Sequence, residues 1–408
     1  MNIGFFTWEY PPRIVGGLGT YSAEITTELV KTGNNVDVFT VNDGSLKTKE
    51  VINGVHVHRP KILGASSSLS LTVNEELKSW GPSLSFFSVI YLYNLLSASK
   101  VVNDLMPKGR KFDVIAVHDW LSAMAGLLVR ENARVPMVFH FHSTEQGRTM
   151  NRGSKTVMEL ERRASEEADM IITVSYAMKQ ELESLGIGRR NLHVVYNGVN
   201  PEKYNIERLS KQDILAIRQR YGVGAEETMI LYVGRLTPVK GVDNLVRAMP
   251  YVAKKDRVKL VILGEGEMQE RIKTIIKELG LEGSVVLRAE FVSEEERILS
   301  YAASDICCFP SIYEPFGIVA LEAMAMRKPV VVGASGTVGF REIVIPDGKD
   351  KCGMHVDGKR PEDIAWGINA LLESDLEGLG YNARKRVIEN FTWQKAARDT
   401  VQLYSTLL

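Results

Sequence analysis

Two glutamates, Glu314 and Glu322, lie in or directly before a strongly apolar stretch of the sequence. They are eight positions apart in the stretch YEPFGIVALEAMA, residues 313–325. The pattern predicts an apolar helix over residues 316–326, in which Glu322 has apolar neighbours on every side. Because a buried carboxylate without a partner costs several kcal/mol, Glu322 must be satisfied by a buried cation or by paired hydroxyls, such as those of a ribose.

The start of the same helix favours a polar ligand. Glu314 precedes the helix and could face a sugar. Phe316, the first residue of the predicted helix, is a candidate for the same nucleotide-sugar-binding site. The first N–H groups of the helix, at Gly317 and Ile318, form a positive dipole end that could bind a phosphate.

Arg235 and Lys240 form a second candidate group, in VGRLTPVKGVDNL. They follow a predicted strand and precede a predicted helix, so together they could neutralise a diphosphate leaving group. This is not a Walker A loop, because Gly241 follows Lys240 and no Ser or Thr comes directly behind it. The alternative is ordinary solvated surface charge.

A glycine loop, PPRIVGGLGTYS, connects the first predicted strand to the first helix. Gly16, Gly17 and Gly19 would let the backbone approach a ligand closely, next to a helix N-terminus that suits a phosphate. The G-x-G-x-x-G spacing is missing, so dinucleotide binding is weakly supported. A plain strand–helix turn is the alternative.

Three of the seven histidines, His118, His140 and His142, fall at the ends of two predicted strands, and Asp119 follows the first of them. Histidines on strands are often core residues, and neither an H-E-x-x-H motif nor a cysteine partner supports zinc here. No D-x-D pair occurs, which disfavours a divalent ion on a diphosphate. The sequence therefore predicts a site with no metal and no cofactor.

Composition narrows the class of protein. The chain has 408 residues, with 50 basic and 50 acidic side chains, so no overall charge favours nucleic acid or an anionic membrane. Three cysteines without metal spacing indicate a reducing compartment, and we expect a cytoplasmic location. No apolar run reaches 18 residues, so we expect no transmembrane segment. The apolar residues 86–96 are interpreted as a buried helix.

Short β-branched runs alternate with helical patterns through both halves, which predicts an α/β protein of two doubly wound Rossmann-like domains facing across a deep cleft. The INGV sequence, residues 52–55, predicts a hairpin turn. The turn-rich stretch 197–205 is the best linker. The predicted strands are 3–8, 36–41, 51–57, 114–118, 137–142, 170–175, 192–196, 229–233, 259–263, 285–291, 305–309 and 330–332.

Taken together, these motifs resemble the retaining, nucleotide-sugar-dependent glycosyltransferases of the GT-B architecture over essentially the whole chain. Glu314 and Glu322 match the paired-glutamate motif of that family, and Arg235 and Lys240 match its cationic pair. The resemblance implies that Glu314 contacts the transferred sugar and Glu322 the ribose, while the cations bind the diphosphate without metal.

Within that family, TWEYPPRIVGGLG, HDW and YNGVN are similar to the glycogen and starch synthases. The resemblance places Asp119, His142 and Asn197 on the sugar side of the cleft. Two differences from those synthases are Ile14, where they carry lysine, and Phe316, where bacterial members carry cysteine.

The resemblance also implies the domain plan and the reaction. Residues 1–200 would form the acceptor-side domain and 201–390 the nucleotide-sugar domain, with the final helix, 391–408, packing back on the first. The expected reaction moves glucose from UDP- or ADP-glucose to an α-1,4-glucan. Alternatives are transfer of another sugar, such as mannose, to a small or lipid acceptor; a sugar-nucleotide epimerase or hydrolase; and a sugar-nucleotide-binding protein without turnover.

Overall fold

A computed structural model describes residues 1–42, 44–62, 82–188, 191–252 and 257–408. These residues form two compact units. The first unit contains Met1–Thr173, Leu182–Val195 and Ala396–Leu408, and the second contains Val174–Glu181 and Tyr196–Lys395. The chain thus enters the second unit briefly after residue 173 and returns to the first at its end.

The first unit contains, within its described residues, an eight-stranded sheet in the order β3-β4-β2-β1-β5-β6-β7-β8. All neighbours are parallel except β3 and β4. Its strands are β1 Asn2–Phe6, β2 Asn35–Phe39, β3 Lys49–Ile52, β4 Val55–His58, β5 Val114–His118, β6 Met137–Phe141, β7 Met170–Thr173 and β8 Leu192–Val194. Its helices are α1 Gly17–Lys31, α2 Pro82–Ser99, α3 Trp120–Ala133, α4 Glu145–Arg148, α5 Lys155–Glu167 and α6 Tyr176–Ser184, the last shared with the second unit.

The sequence explains this sheet well. The central strands β5, β6 and β7 are buried along their whole length, as continuous apolar runs in a parallel sheet require. The predicted hairpin turn is confirmed: Asn53 and Gly54 have φ of 49° and 82° between the antiparallel strands β3 and β4.

Helix α2 is longer and less buried than predicted. It runs to Ser99 and continues as a π-helical turn over Lys100–Leu105. Its inner face packs on α3, where Asn94 Nδ2 donates to Leu121 O at 2.8 Å, but Tyr91 and Leu95 are exposed. By length and composition alone, the stretch Ser85–Leu105 could cross a membrane, a test that core helices also pass.

The second unit contains, within its described residues, a six-stranded parallel sheet in the order β11-β10-β9-β12-β13-β14. Its strands are β9 Thr228–Val233, β10 Val258–Leu263, β11 Val285–Arg288, β12 Ile306–Phe309, β13 Val330–Gly333 and β14 Gly353–Val356. Its helices are α7 Lys211–Arg220, α8 Val242–Ala248, α9 Gln269–Glu278, α10 Glu294–Ala303, α11 Ile318–Ala325, α12 Phe340–Ile343, α13 Pro361–Leu372, α14 Leu376–Asn390 and α15 Trp393–Ser405; short 3-10 turns cover Ile206–Arg208, Pro238–Lys240 and Met249–Tyr251.

The predicted fold class is confirmed, since each unit is a parallel α/β sheet covered by helices. Strand β14 was not predicted, because GMHV is short and carries a histidine in its centre. Helix α15 passes from the second unit into the first at Ala396. There, its Tyr404 hydroxyl lies 2.7 Å from His140 Nε2. The three cysteines are free and buried.

Candidate functional site

Three neighbouring strands of the second unit, β9, β12 and β13, place their following loops at one edge of the sheet. The loop after β12 is hydrogen-bonded to the turn after β9, since Ile312 N donates to Val239 O at 2.8 Å. It is also bonded to the loop after β13, since Glu314 N donates to Thr337 O at 3.1 Å and Gly339 N donates to Glu314 O at 2.7 Å. Main-chain bonds therefore position Glu314 from both sides.

This arrangement brings two predicted site residues together. Lys240 Nζ and Glu314 Oε2 form an ion pair in which the two side chains are only 18% and 12% exposed. The hydroxyl of Ser311 also donates to Glu314 Oε2, at 3.3 Å. Arg235, on the same loop as Lys240, is exposed, and among the described residues no ion pair to its guanidinium is found. A cation beside a carboxylate suits a ligand that carries both phosphate and hydroxyl groups.

Gly317, the residue directly before helix α11, has a conformation that requires glycine. Its φ is 109°, and a Cβ placed there would lie 1.9 Å from the ring of Phe340. Phe316 is buried in the core of the second unit, and Ile318 is partly exposed. Of these three residues, the backbone of Gly317 and Ile318 is thus the part suited to a ligand, and Phe316 is a packing residue.

Glu322 is buried in α11, 3% exposed, and its carboxylate already has protein partners. Tyr204 donates its hydroxyl to Oε1 at 2.8 Å, and Tyr301 donates to Oε2 at 2.9 Å. Arg297 adds a longer ion pair to Oε1, at 3.4 Å. Burial, followed by the charge of Glu322, raises the pKa of both tyrosines well above the usual range, so they remain donors. Of the two alternatives from sequence, the structure contains a cation, although Arg297 is only partly buried and the two tyrosine hydroxyls make the shorter contacts; ribose binding by Glu322 stays a prediction.

Asn197 is buried in the second unit with its Oδ1 unpartnered among the described residues. The chain around it is fixed, because Val199 N donates to Phe391 O at 3.0 Å and a Cβ on Gly198 would lie 2.3 Å from the backbone of Trp393. A buried amide oxygen without a donor favours a role in binding a ligand with hydroxyl groups.

In the first unit, the glycine loop follows β1, and its backbone is already engaged by a carboxylate. Glu9 Oε2 accepts from both Val15 N and Gly16 N at 2.9 Å. Gly17 begins α1 and is exposed, whereas Gly19 is buried against Glu9. A phosphate approaching Gly16 would therefore meet a carboxylate, and only the first turn of α1 remains for it. Sequence reasoning missed Glu9; its position between strand and loop was the available signal.

Asp119 and His142 follow the neighbouring strands β5 and β6 and are joined directly. Asp119 Oδ1 accepts from His142 N at 2.7 Å, and Asp119 N donates to His140 O at 2.9 Å. Asp119 has a positive φ of 55°, which costs roughly 1–3 kcal/mol for a residue with a side chain. Such strain is maintained by the surrounding bonds and is common at functional sites. Burial raises the pKa of Asp119 to about 7.

The three predicted histidines form one cluster, in which His118 and His140 are buried and His142 is half-buried. Nitrogens of His118, His140 and His142 lie within 4.8 Å of one another, a spacing that could hold a metal ion. However, His118 Nδ1 lies 3.0 Å from His142 Nε2, and His140 Nε2 is bonded to the Tyr404 hydroxyl. An ion would have to displace both hydrogen bonds, so we interpret the cluster as a hydrogen-bonded one. Burial lowers the pKa of His142 to about 3 and those of the other two well below the usual range, which keeps all three neutral.

Known proteins resemble the chain over both halves. Residues 15–203 match the family described as Glycosyltransferase Family 4, and residues 213–391 match Glycosyl transferases group 1. An uncharacterised glycosyltransferase of Methanocaldococcus jannaschii is 37% identical over 99% of this chain and 98% of its own length. A glycogen synthase of Mycobacterium tuberculosis is 30% identical over 99% of this chain and 94% of its own.

Among solved structures, sucrose-phosphate synthase from Thermosynechococcus elongatus superposes with a TM-score of 0.77 at 24% identity, covering 100% of this chain and 98% of that one. At that identity, the similarity bears on the fold alone. The parallel α/β units, the two family matches and the full-length relatives lead to one conclusion: the chain belongs to the glycosyltransferases with a GT-B fold.

Proposed function

We propose that the protein is a retaining glucosyltransferase that moves glucose from UDP- or ADP-glucose to the non-reducing end of an α-1,4-glucan without a metal ion. The observation that carries the proposal is the Lys240–Glu314 ion pair at the carboxyl edge of the second sheet. A sugar diphosphate offers phosphate oxygens to Lys240 and sugar hydroxyls to Glu314 within one molecule, so it satisfies both members of the pair. The glucan acceptor is suggested by the glycogen synthase relative.

Arg235 and Lys240 are assigned to the departing diphosphate. Negative charge grows there as the glycosidic bond breaks, so fixed cations stabilise the transition state more than the ground state. We assign the sugar hydroxyls to Glu314, His142, Asp119 and Asn197. The ribose assignment of Glu322 would require its carboxylate to exchange a tyrosine or arginine partner for a ribose hydroxyl.

Retention requires the acceptor hydroxyl to arrive on the face that the nucleotide leaves, or a covalent intermediate. We propose same-face attack, in which a departing phosphate oxygen takes the proton of the acceptor hydroxyl. Glu314 then accepts hydrogen bonds from the sugar hydroxyls, with its carboxylate positioned by Lys240 and Ser311, and it is not the nucleophile. Mass-spectrometric detection of a glycosylated Glu314 would contradict this step.

The test offers a panel of UDP-, ADP- and GDP-sugars to the purified full chain, each with maltooligosaccharide or with no acceptor, in EDTA. We expect elongation with α-linkage from one glucose donor. Nucleotide release without elongation would indicate hydrolysis or a different acceptor, while a changed sugar without release would indicate an epimerase. Binding without any turnover would indicate a sugar-nucleotide-binding protein. Inactivity in EDTA that a divalent ion restores would falsify the metal-free mechanism.

The runner-up is transfer of another sugar, such as mannose, to a small or lipid acceptor. Ile14 favours it, because this exposed apolar side chain stands in the glycine loop where the resembled synthases carry lysine. Ile14→Lys is the matched variant: if the protein is a glucan synthase, the lysine should improve or preserve elongation. A protein that uses another acceptor should gain nothing on maltooligosaccharide.

A further inference from the structure

His142 has one hydrogen bond at its main chain and another at its ring. The ring hydrogen bond determines which ring nitrogen carries the proton. Asp119 fixes its main chain, through the 2.7 Å bond to His142 N. His118 fixes its ring, because His118 Nδ1 lies 3.0 Å from His142 Nε2. The ring of Tyr21 packs on His142 with centroids 4.4 Å apart. The ring nitrogen of His142 that this leaves for a ligand is Nδ1, for which the described chain contains no partner.

Two neutral imidazoles can share this hydrogen bond in two ways. In the first, His118 carries its proton on Nδ1 and donates to His142 Nε2, so His142 carries its own proton on Nδ1. In the second, His142 donates from Nε2, and His118 must carry its proton on Nε2. Both rings are neutral, since burial lowers the pKa of each. The choice therefore depends on which arrangement the surroundings of His118 Nε2 tolerate.

The surroundings of His118 favour the first arrangement. His118 is fully buried, its ring stacks on Phe5 with centroids 4.0 Å apart, and no hydrogen-bond partner for its Nε2 is found in the described part of the chain. A buried N–H without an acceptor is rarer in proteins than an under-satisfied acceptor. His118 Nε2 is thus more stable without a proton in these surroundings, and His118 carries its proton on Nδ1.

We infer that His118 is a positioning residue that fixes His142 in the Nδ1–H tautomer, so that His142 donates a hydrogen bond to an oxygen of the sugar substrate. This inference rests on the proposed function for the identity of the ligand, but the tautomer itself is a property of the free protein. A histidine side chain in water prefers the proton on Nε2, so the Nδ1–H form needs a partner such as His118 to maintain it.

The tautomer can be measured without substrate. The full chain is labelled with ¹⁵N-histidine, and long-range ¹H–¹⁵N correlation spectra at pH 7.5 show which nitrogen of each ring is protonated; a His142→Gln variant assigns the His142 signals. We expect His142 protonated on Nδ1. In His118→Phe, which has no ring nitrogen, the proton should move to Nε2. In His118→Asn, whose amide keeps an N–H donor near the position of Nδ1, it should stay on Nδ1.

Activity gives the second readout. With the donor and acceptor found in the panel, kcat of His118→Phe should fall on the order of 10-fold to 100-fold, because a misdirected group at the reacting sugar costs that much. His118→Asn should recover most of the loss. His142 protonated on Nε2 in the wild type, or a tautomer unchanged in His118→Phe, would overturn the inference. Histidine signals that shift after EDTA treatment would also overturn it, since they would indicate a bound metal.

These outcomes separate the inference from the proposed function. If no sugar nucleotide is turned over, the proposed function fails while the spectra still decide the tautomer. If His118→Phe does not fold, as judged by circular dichroism, the wild-type and His118→Asn spectra decide it.

Discussion

Substituting Gly16 by alanine should change ligand binding and catalysis without changing the stability of the fold. Its φ of −161° and ψ of −159° are extended, so alanine can adopt them. A Cβ built on Gly16 meets nothing within 4 Å. The bond from Gly16 N to Glu9 is a main-chain bond and survives the substitution. Nothing in the folded chain itself therefore requires glycine here, and the open space is available to a ligand.

The effect of Gly16→Ala on folding should be small. Replacing glycine by alanine at a compatible position stabilises by about 0.4–1 kcal/mol through the unfolded chain. Gly16 is also the N-cap of α1, where alanine is worse than glycine by roughly 0.5–1 kcal/mol. The two nearly cancel, so we expect the melting temperature to change by less than about 2 °C.

The effect on catalysis should be much larger. If an uncharged ligand group, such as a sugar hydroxyl, occupies the open space beside the Gly16 Cα, the added methyl group displaces it by about 1 Å, which can lower kcat/KM roughly 100-fold. That corresponds to about 2.7 kcal/mol of transition-state stabilisation, several times the change in folding. The assay measures kcat/KM for the donor and acceptor identified in the panel, with thermal unfolding of the same preparation.

Gly283→Ala is the matched control, because Gly283, like Gly16, has nothing within 4 Å of its added Cβ and no φ in the left-handed region. It should keep both activity and stability. Wild-type kcat/KM in Gly16→Ala would refute the reasoning, since it would show that no ligand comes close to this backbone.

Three further predictions concern the other site residues. Lys240→Ala and Arg235→Ala should each lower kcat on the order of 10²–10³-fold in steady-state assays; a change in KM alone would make the residue a ground-state binder. Glu322→Ala should lower the free energy of unfolding by about 1–3 kcal/mol in urea titrations, because it leaves the buried Tyr301 hydroxyl without its acceptor and leaves Tyr204 and Arg297 only longer contacts to Glu294; unchanged stability would contradict this structural role. The raised pKa of Asp119, about 7 and due mainly to burial, means that the folded state binds its proton more tightly than the unfolded chain. The stability that this proton contributes to the wild type is lost as pH rises from about 4 to about 7, whereas Asp119→Asn has no such proton to lose. The urea midpoint of Asp119→Asn minus that of the wild type should therefore rise across this pH range. A difference that stays constant with pH would refute the raised pKa of Asp119.

The fold was predictable from sequence because its signals are local. Continuous apolar runs, such as ILYV in β9, identify strands buried on both faces of a parallel sheet. Glycines and asparagines mark turns, as at Asn53 and Gly54. The helix ends shifted by a few residues, since α11 begins at Ile318, after Gly317. Strand β14 was missed because GMHV is too short and too mixed to stand out.

The partners within the site were less predictable, because they are set by contacts between distant segments. Glu322 needed a partner by elementary energetics, but nothing in the sequence connected it with Tyr204, 118 positions away, or with Arg297. The same holds for the ion pair of Lys240 and Glu314, 74 positions apart. Motif spacing indicated which residue types matter; only the sheet order determined which side chains meet.

The ion pair of Lys240 and Glu314 has a consequence for competition by simple anions. Any phosphate-containing compound could attract Lys240, but drawing the ammonium away would leave the carboxylate of Glu314, which is only 12% exposed, with the long hydrogen bond from Ser311 in place of its ion pair. Inorganic phosphate or a free nucleotide lacks the transferred sugar, whose hydroxyls take the place of the ammonium at Glu314 under the proposed function, whereas a nucleotide sugar carries it. Under the proposed function, the ion pair would therefore favour binding of the nucleotide sugar over binding of inorganic phosphate or free nucleotide, which carry the phosphate groups without the transferred sugar.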